Sequence, residues 1–154
     1  MLQIDFLEKI LMECKLSGIH TAVDTAGHVP FEYFTRLIPY TDLFLYDIKC
    51  IDSEKHKKYT GVSNEIILAN LGGILRSRAS VWVRIPVIPT VNDRVEEIAA
   101  IRDFVRTLKN AVGYELLPYH PFGLDKARGM GMTMPRFTEP TKEQMEHLRT
   151  YTTL

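Results

Sequence analysis

Short β-branched and apolar runs alternate along this chain with amphipathic segments, and this alternation limits the possible folds more than any other feature. Four runs predict strands: residues 19–24, 43–48, 80–87 and 114–118. Apolar residues at helical spacing, or cap, proline and glycine signals at the ends, predict helices: residues 4–16, 30–38, 52–61, 65–78, 92–109 and the segment after residue 141. Strands separated by helices imply a parallel sheet with right-handed crossovers. The predicted fold is α/β, in a single domain over residues 1–154.

Three local features add expectations. Asn64, and Asn92 or Asp93, lie where helix caps are expected, and residues 141–144 match a capping box that begins at Thr141. The pair Gly72-Gly73 lies within a predicted helix, where each glycine costs about 1 kcal/mol relative to alanine, so we expect close packing of this helix on the sheet. Residues 121–140, rich in glycine and proline, predict a long loop that contacts a partner or closes a site.

Charge and cysteine content narrow the function classes. Lysine plus arginine and aspartate plus glutamate each number 19, which argues against nucleic acid or an acidic membrane as an electrostatic partner. Apolar runs are too short to span a bilayer, and no signal-peptide pattern opens the sequence. Cys14 and Cys50 have no metal-binding spacing. We therefore expect two reduced thiols and a cytoplasmic location.

Ionisable residues lie at or near the carboxyl end of every predicted strand, where parallel α/β folds bind their ligands. They are Asp24, then Asp47 with Lys49, then Arg84, then His120. Taken singly, each residue is open to a plainer explanation as a solvated loop charge, a cap or a satisfied loop histidine. Their coincidence at one sheet edge favours a shared site for a zwitterionic or phosphorylated small molecule. No glycine-rich phosphate-binding motif accompanies them.

Six motifs in order along the chain have a familiar counterpart. They are DTAG at 24–27, LYDIK at 45–49, YTGVSN at 59–64, VRIPVIP at 83–89 followed by ND at 92–93, LLPYH at 116–120 and PTKE at 140–143. Together they resemble glycyl-radical-enzyme activating enzymes, the pyruvate formate-lyase activase group of the radical S-adenosylmethionine (SAM) proteins. The resemblance implies four parallel strands of an incomplete six-stranded, TIM-like (β/α) barrel.

Two family motifs are missing. The family binds a [4Fe–4S] cluster on a CxxxCxxC loop and the SAM amino group on a GGEP segment, and this sequence contains neither. Cys14 and Cys50 are not expected to replace the cluster ligands. The sequence is therefore expected to be the carboxyl-terminal part of such an enzyme, beginning just after GGEP. By itself it is expected to be inactive and to bind no cofactor tightly.

The resemblance also implies roles for residues of this chain. Lys49 and His120 would contact the methionyl carboxylate of SAM, with Arg84 nearby. Asp24 and Asp47 would line the SAM pocket and, with main-chain groups near Thr25 and Leu45, form a monovalent-cation site. The full enzyme would use SAM and the cluster to form a 5′-deoxyadenosyl radical that takes a hydrogen atom from a glycine of its partner. Its other partner would be an electron donor such as flavodoxin or ferredoxin.

Two alternatives remain open. One is a non-catalytic α/β module that only binds a ligand or a partner. The other is an aldolase-like enzyme that uses Lys49 as a Schiff-base amine. If the chain is instead part of a cut barrel, the strand at 19–24 is expected to have an unpaired edge, so we also expect self-association there.

Overall fold

The computed structural model describes residues 1–108, 111, 113–133 and 135–152. Strands alternate with helices over these residues, which confirms the predicted α/β class. The strands are β1 (Ala22–Thr25), β2 (Leu43–Asp47), β3 (Val81–Val87) and β4 (Gly113–Pro118). The helices are α1 (Ile4–Leu16), α2 (Phe31–Leu37), α3 (Ser53–Thr60), α4 (Glu65–Arg76), α5 (Val95–Leu108), α6 (Gly123–Gly129) and α7 (Lys142–Arg149). Lys109, the predicted last residue of the fifth helix, lies outside the described residues.

The four strands form one parallel sheet in the order β1-β2-β3-β4. Each strand pairs with the next one along the chain, without the reversal of order that marks a doubly wound sheet. This winding is typical of a barrel segment, so the prediction of a partial barrel with four parallel strands is confirmed.

The two faces of the sheet differ in burial. Side chains that point towards the helices, such as Phe44, Tyr46 and Val83, are fully buried. Their neighbours on the opposite face include Asp47 and Arg84, which are only partly buried. Because successive strand residues point to opposite faces, a single core covers one face, and the other carries the charged groups together with less buried apolar side chains such as Trp82.

The first strand begins three residues later than predicted. Ile19 is 57% exposed, and the amide of Thr21 donates to the carboxylate of Asp42 over 2.8 Å instead of joining the sheet ladder. Regular pairing therefore starts at Ala22, which is paired with Leu43.

The glycine pair in α4 packs against neighbouring helices, and the expected contact with the sheet was wrong. A Cβ atom at Gly73 would lie 2.3 Å from the ring of Phe31 at the start of α2. A Cβ atom at Gly72 would lie 3.6 Å from Leu108 of α5. Gly73 thus lets α2 approach α4 closely, whereas the distance from Gly72 to Leu108 is ordinary van der Waals contact.

The segment 121–140 contains α6, so the prediction of a loop without secondary structure was wrong. Gly123 and Gly129, which favoured a loop in the sequence, are the first and last residues of this seven-residue helix. By contrast, the capping box at Thr141 is confirmed. The Thr141 hydroxyl accepts from the Gln144 amide, and the Gln144 side chain accepts from the Thr141 amide.

No helix in the described ranges is long and apolar enough to cross a lipid bilayer. Cys14 and Cys50 are both free thiols, as predicted.

Candidate functional site

Four of the predicted site residues form a continuous chain of alternating charges on the open face of the sheet. The Arg84 guanidinium donates through Nη2 to Asp24 Oδ1 over 2.5 Å and to Asp47 Oδ1 over 2.9 Å. Its Nε also donates to Asp47 Oδ1 over 3.1 Å. On the other side of Asp47, Oδ2 lies 3.7 Å from Lys49 Nζ. The predicted convergence of Asp24, Asp47, Lys49 and Arg84 therefore occurs.

Strand register brings these residues together. Asp47 of β2 is paired directly with Arg84 of β3, and Asp24 of β1 is paired with Leu45, two residues before Asp47. Asp24, Leu45 and Asp47 thus share one face of the sheet. Parallel pairing in this register places the three charged side chains of β1, β2 and β3 within reach of one another.

The environment keeps Arg84 charged. Burial lowers the pKa of its guanidinium, but hydrogen bonds and charge from Asp24 and Asp47 outweigh this effect, and the net shift of the pKa is upward. Two carboxylates and two cations leave the group of four formally neutral. Such a set complements a zwitterion better than a simple anion, because it offers partners of both signs.

The turn after β1 has a backbone conformation that favours glycine at position 27. Gly27 has a φ of +76°, a conformation that glycine adopts without strain. Its amide donates to the Thr25 hydroxyl over 3.0 Å, and that hydroxyl in turn donates to Met1 Sδ over 3.3 Å. Thr25, predicted to contribute a main-chain group to a cation site, is thereby fixed next to Asp24.

His120 lies outside the ion-pair chain. It is exposed, and its imidazole lies against the ring of Phe122 with 4.4 Å between ring centroids. Among the described residues, no hydrogen bond joins His120 to the other four.

Three buried asparagines fasten the loops at this edge of the sheet, and the sequence interpretation missed this role. Asn70 donates to the carbonyls of Gly27 and Val29, after β1. Asn64 makes no side-chain cap; its amide donates instead to the carbonyls of Cys50 and Ile51, after β2.

The third asparagine is Asn92, which donates to the carbonyls of Lys49 and Pro86. It lies ahead of α5, which begins at Val95, so its predicted capping role was wrong. Asn70 lies within the apolar stripe of α4, and a polar side chain at such a position needs an internal partner. That signal was available in the sequence, although the identity of the partner was not.

The segment after β4 is anchored by one aromatic side chain. The ring of Phe137 makes edge-on contacts with Tyr59, with centroids 6.3 Å apart, and with Tyr119, with centroids 5.9 Å apart. A cavity of about 100 Å³ lies between Phe137 and the loops after β2 and β3, with Lys49 and Asn92 in its lining. The segment thus covers the part of the sheet edge that carries Lys49.

Comparison with known proteins identifies the family. No protein-family model matches the chain. It is 38% identical over 138 residues to choline trimethylamine-lyase activating enzyme of Oleidesulfovibrio alaskensis, covering 88% of this chain and 44% of the relative. It is 37% identical over 153 residues to trans-4-hydroxy-L-proline dehydratase activating enzyme of Clostridioides difficile, covering 95% of this chain and 49% of the relative. It is 35% identical over 138 residues to pyruvate formate-lyase-activating enzyme of Staphylococcus epidermidis, covering 86% of this chain and 55% of the relative.

A crystal structure agrees with these matches. A domain of pyruvate-formate lyase-activating enzyme from Bacteroides vulgatus ATCC 8482 superposes with a TM-score of 0.81 at 29% identity. The match covers 98% of this chain and 86% of that domain. The chain belongs to the glycyl-radical-enzyme activating enzymes. It spans about half the length of the curated activating enzymes that it matches.

The residues of this activating-enzyme chain do not fit an iron–sulfur cluster. Cys14 lies on α1 and Cys50 follows β2, and only these two cysteines occur in the sequence. Across the described ranges, no three histidine, cysteine, aspartate or glutamate residues form a group that could hold a metal ion. Cys50 is also buried, and burial raises the pKa of its thiol, which disfavours the thiolate that iron binds. The open sheet face, by contrast, fits the amino-acid end of SAM, which carries both an ammonium and a carboxylate.

Proposed function

We propose that this chain forms the SAM-orienting wall of a radical SAM activase that generates a glycyl radical on a partner enzyme of the pyruvate formate-lyase type. The observation that carries the proposal is the charge chain Asp24–Arg84–Asp47–Lys49 on the open face of the sheet. Family membership supports the reaction class, and the pairing of opposite charges supports a zwitterionic ligand.

Each residue of the charge chain has a proposed role. Lys49 retains donor capacity, because its ammonium has three N–H groups and its nearest carboxylate oxygen is 3.7 Å away. It is therefore the cation proposed to bind the methionyl carboxylate, with Arg84 nearby and His120 approaching from the end of β4. Asp47 and Asp24 are proposed to line the pocket. With main-chain groups near Thr25 and Leu45, they are also the proposed ligands of a monovalent cation.

We propose that residues outside this sequence bind the cluster, because the cysteines in this sequence do not fit it. Held by those residues, the cluster would supply one-electron chemistry to bound SAM, and this chain would orient and shield the reactants. The proposed partners are a glycyl radical enzyme, whose glycine gives up a hydrogen atom, and a flavodoxin or ferredoxin that donates the electron. This chain alone is proposed to be inactive as an oxidoreductase. The single domain is proposed to be the part of the barrel that lacks the cluster-binding segment.

The test is a titration of SAM followed by the emission of Trp82, the only tryptophan in the sequence. Trp82 lies two residues before Arg84 on the same face of β3, and it is 37% exposed. We expect a saturable change that Lys49→Ala abolishes and Lys57→Ala, on the exposed face of α3, preserves. Equal binding by wild type and Lys49→Ala would contradict the assignment.

Two further observations separate the proposal from its alternatives. A CxxxCxxC motif followed by GGEP in the coding sequence that precedes Met1 is expected, whereas an in-frame stop codon there would favour a stand-alone binding module. In the polypeptide that carries the cluster motif, Lys49→Ala is expected to abolish SAM binding without lowering iron content. Borohydride trapping of a carbonyl substrate on Lys49 would instead support Schiff-base chemistry.

A further inference from the structure

The ladder between β2 and β3 is interrupted next to the proposed ligand site. β3 is an interior strand, yet it contains Pro86, which has no backbone N–H to donate. The amide of Ile48 donates to the Arg84 carbonyl over 2.9 Å, and this bond lies just before the interruption. Beyond it, the carbonyls of Lys49 and Pro86 need another donor.

Asn92 supplies that donor. Its Nδ2 donates to the Lys49 carbonyl over 2.6 Å and to the Pro86 carbonyl over 2.8 Å. Its Oδ1 accepts from the Ile88 amide over 2.7 Å. With 1% of its surface exposed, this side chain ties the ends of two strands together in the interior.

Asn64 continues the same arrangement. Its Nδ2 donates to the carbonyls of Cys50 and Ile51 over 2.9 and 2.8 Å, and it is 2% exposed. The carbonyls of three consecutive residues, Lys49, Cys50 and Ile51, are therefore each bound by a buried asparagine.

We propose that Asn92, assisted by Asn64, is a positioning residue for the zwitterion site. It fixes the backbone of Lys49, so that the ammonium of Lys49 and the carboxylate of Asp47 stay aligned with Arg84 for an incoming carboxylate. This inference rests on the proposed function, because it concerns the same ligand. A flexible lysine binds an anion better when its backbone is already ordered, since less conformational entropy is lost on binding.

The test compares two variants that lose buried hydrogen bonds at opposite ends of the sheet. Asn92→Asp is nearly isosteric; it keeps the acceptor for Ile88 and replaces the amide donor with an oxygen that faces two carbonyls. Thr21→Val is the control, because Thr21 is 7% exposed, and its hydroxyl donates to the Tyr40 carbonyl over 3.0 Å near the amino end of the sheet. Both variants are expected to lower stability, so binding is measured where each is fully folded. SAM affinity is expected to fall by about tenfold or more in Asn92→Asp and to remain within twofold of wild type in Thr21→Val.

A second measurement does not depend on SAM. Hydrogen exchange at the Ile48 amide is expected to accelerate in Asn92→Asp beyond the change seen in Thr21→Val. If wild type binds SAM and Asn92→Asp binds it equally well, the positioning role is overturned while the proposed function stands. If wild type binds no SAM, the proposed function fails for this chain, and unchanged exchange at Ile48 would overturn the positioning role as well. Should Asn92→Asp fail to fold, Asn64→Ala is measured in the same way. We expect a smaller loss of SAM affinity in that variant, and an unchanged affinity would contradict the proposal.

Discussion

The hydroxyl oxygen of Tyr46 lies 1.7 Å from the position that a Cβ atom would occupy at Gly27. Tyr46 is fully buried, and its hydroxyl donates to the Ile67 carbonyl over 2.7 Å, so the side chain has no free space into which to retreat. Burial also raises the pKa of the Tyr46 phenol, so the hydroxyl remains a donor at physiological pH. The turn after β1 thus requires glycine for two independent reasons, its positive φ and this contact.

Gly27→Ala is expected to lower the free energy of unfolding by about 2–5 kcal/mol, which combines left-handed strain with overpacking. Gly61→Ala is the matched control, because Gly61 has a φ of +83° but nothing within 4 Å of its Cβ position. That control is expected to lose only about 1–2 kcal/mol. Urea denaturation of both variants measures the difference, and equal losses would show that the Tyr46 contact is unimportant.

Arg84→Met is expected to lower the free energy of unfolding by about 1–3 kcal/mol, because Asp47 loses its hydrogen-bond partner in a partly buried position. The Asp24 side chain is 62% exposed and is readily hydrated, so Asp24→Asn is expected to have a smaller effect. Chemical denaturation at low and high salt measures both changes. A larger effect of Asp24→Asn than of Arg84→Met would contradict the picture of Arg84 as the centre of the network.

Phe137→Ala is expected to release the segment after β4 without unfolding the domain. Edge-on aromatic pairs contribute about 0.5–1.5 kcal/mol each, and Phe137 makes two of them. Trypsin cleavage at Lys126, Arg128 and Arg136 is expected to accelerate, while the thermal midpoint changes little. Phe122→Ala is the control, since Phe122 is 79% exposed, and an equal acceleration in that variant would remove the anchoring role from Phe137.

Glu65 makes stability depend on pH in the acid range. The Ser53 hydroxyl, which lies 2.5 Å away, and then the Ser63 hydroxyl lower the pKa of Glu65 from 4.5 to about 2. Because the folded pKa is below the unfolded one, the stabilising contribution is complete above about pH 4.5 and is lost as pH falls towards 2. Glu65→Gln and Ser53→Ala are therefore expected to lose less stability than wild type between about pH 5 and 2.5. Denaturation at several pH values checks this, and parallel curves would contradict it.

Self-association through the β1 edge remains a prediction. In the described sheet β1 pairs with β2 on one side only, and α1, which precedes β1 in the sequence, exposes Phe6 and Ile10 at 67% and 45%. We expect concentration-dependent dimers in light scattering, reduced by Phe6→Lys. A monomer at all concentrations would contradict this expectation.

Local patterns in the sequence were sufficient for the order of the strands and of every α-helix except α6, for the parallel α/β class and for the family. Strand and helix periodicities reflect which face of a short segment is buried, and both can be seen within a dozen residues. The cap at Thr141 was predictable for the same reason, since its two partners are only three residues apart. The position of Asp24, Asp47, Lys49 and Arg84 at one sheet edge also followed from the sequence, because parallel strands place their carboxyl ends together.

Contacts between distant parts of the chain decided the rest. Arg84 is 60 residues from Asp24 and 37 from Asp47, and only the strand register determines that one guanidinium binds both. Asn64 and Asn92 resembled helix caps in sequence, yet burial directed their amides to loop carbonyls, because unpaired carbonyls in the interior are costly. Thus the sequence alone determined which charged residues lie near the carboxyl ends of the strands. The tertiary structure determined which of them are joined by hydrogen bonds and ion pairs.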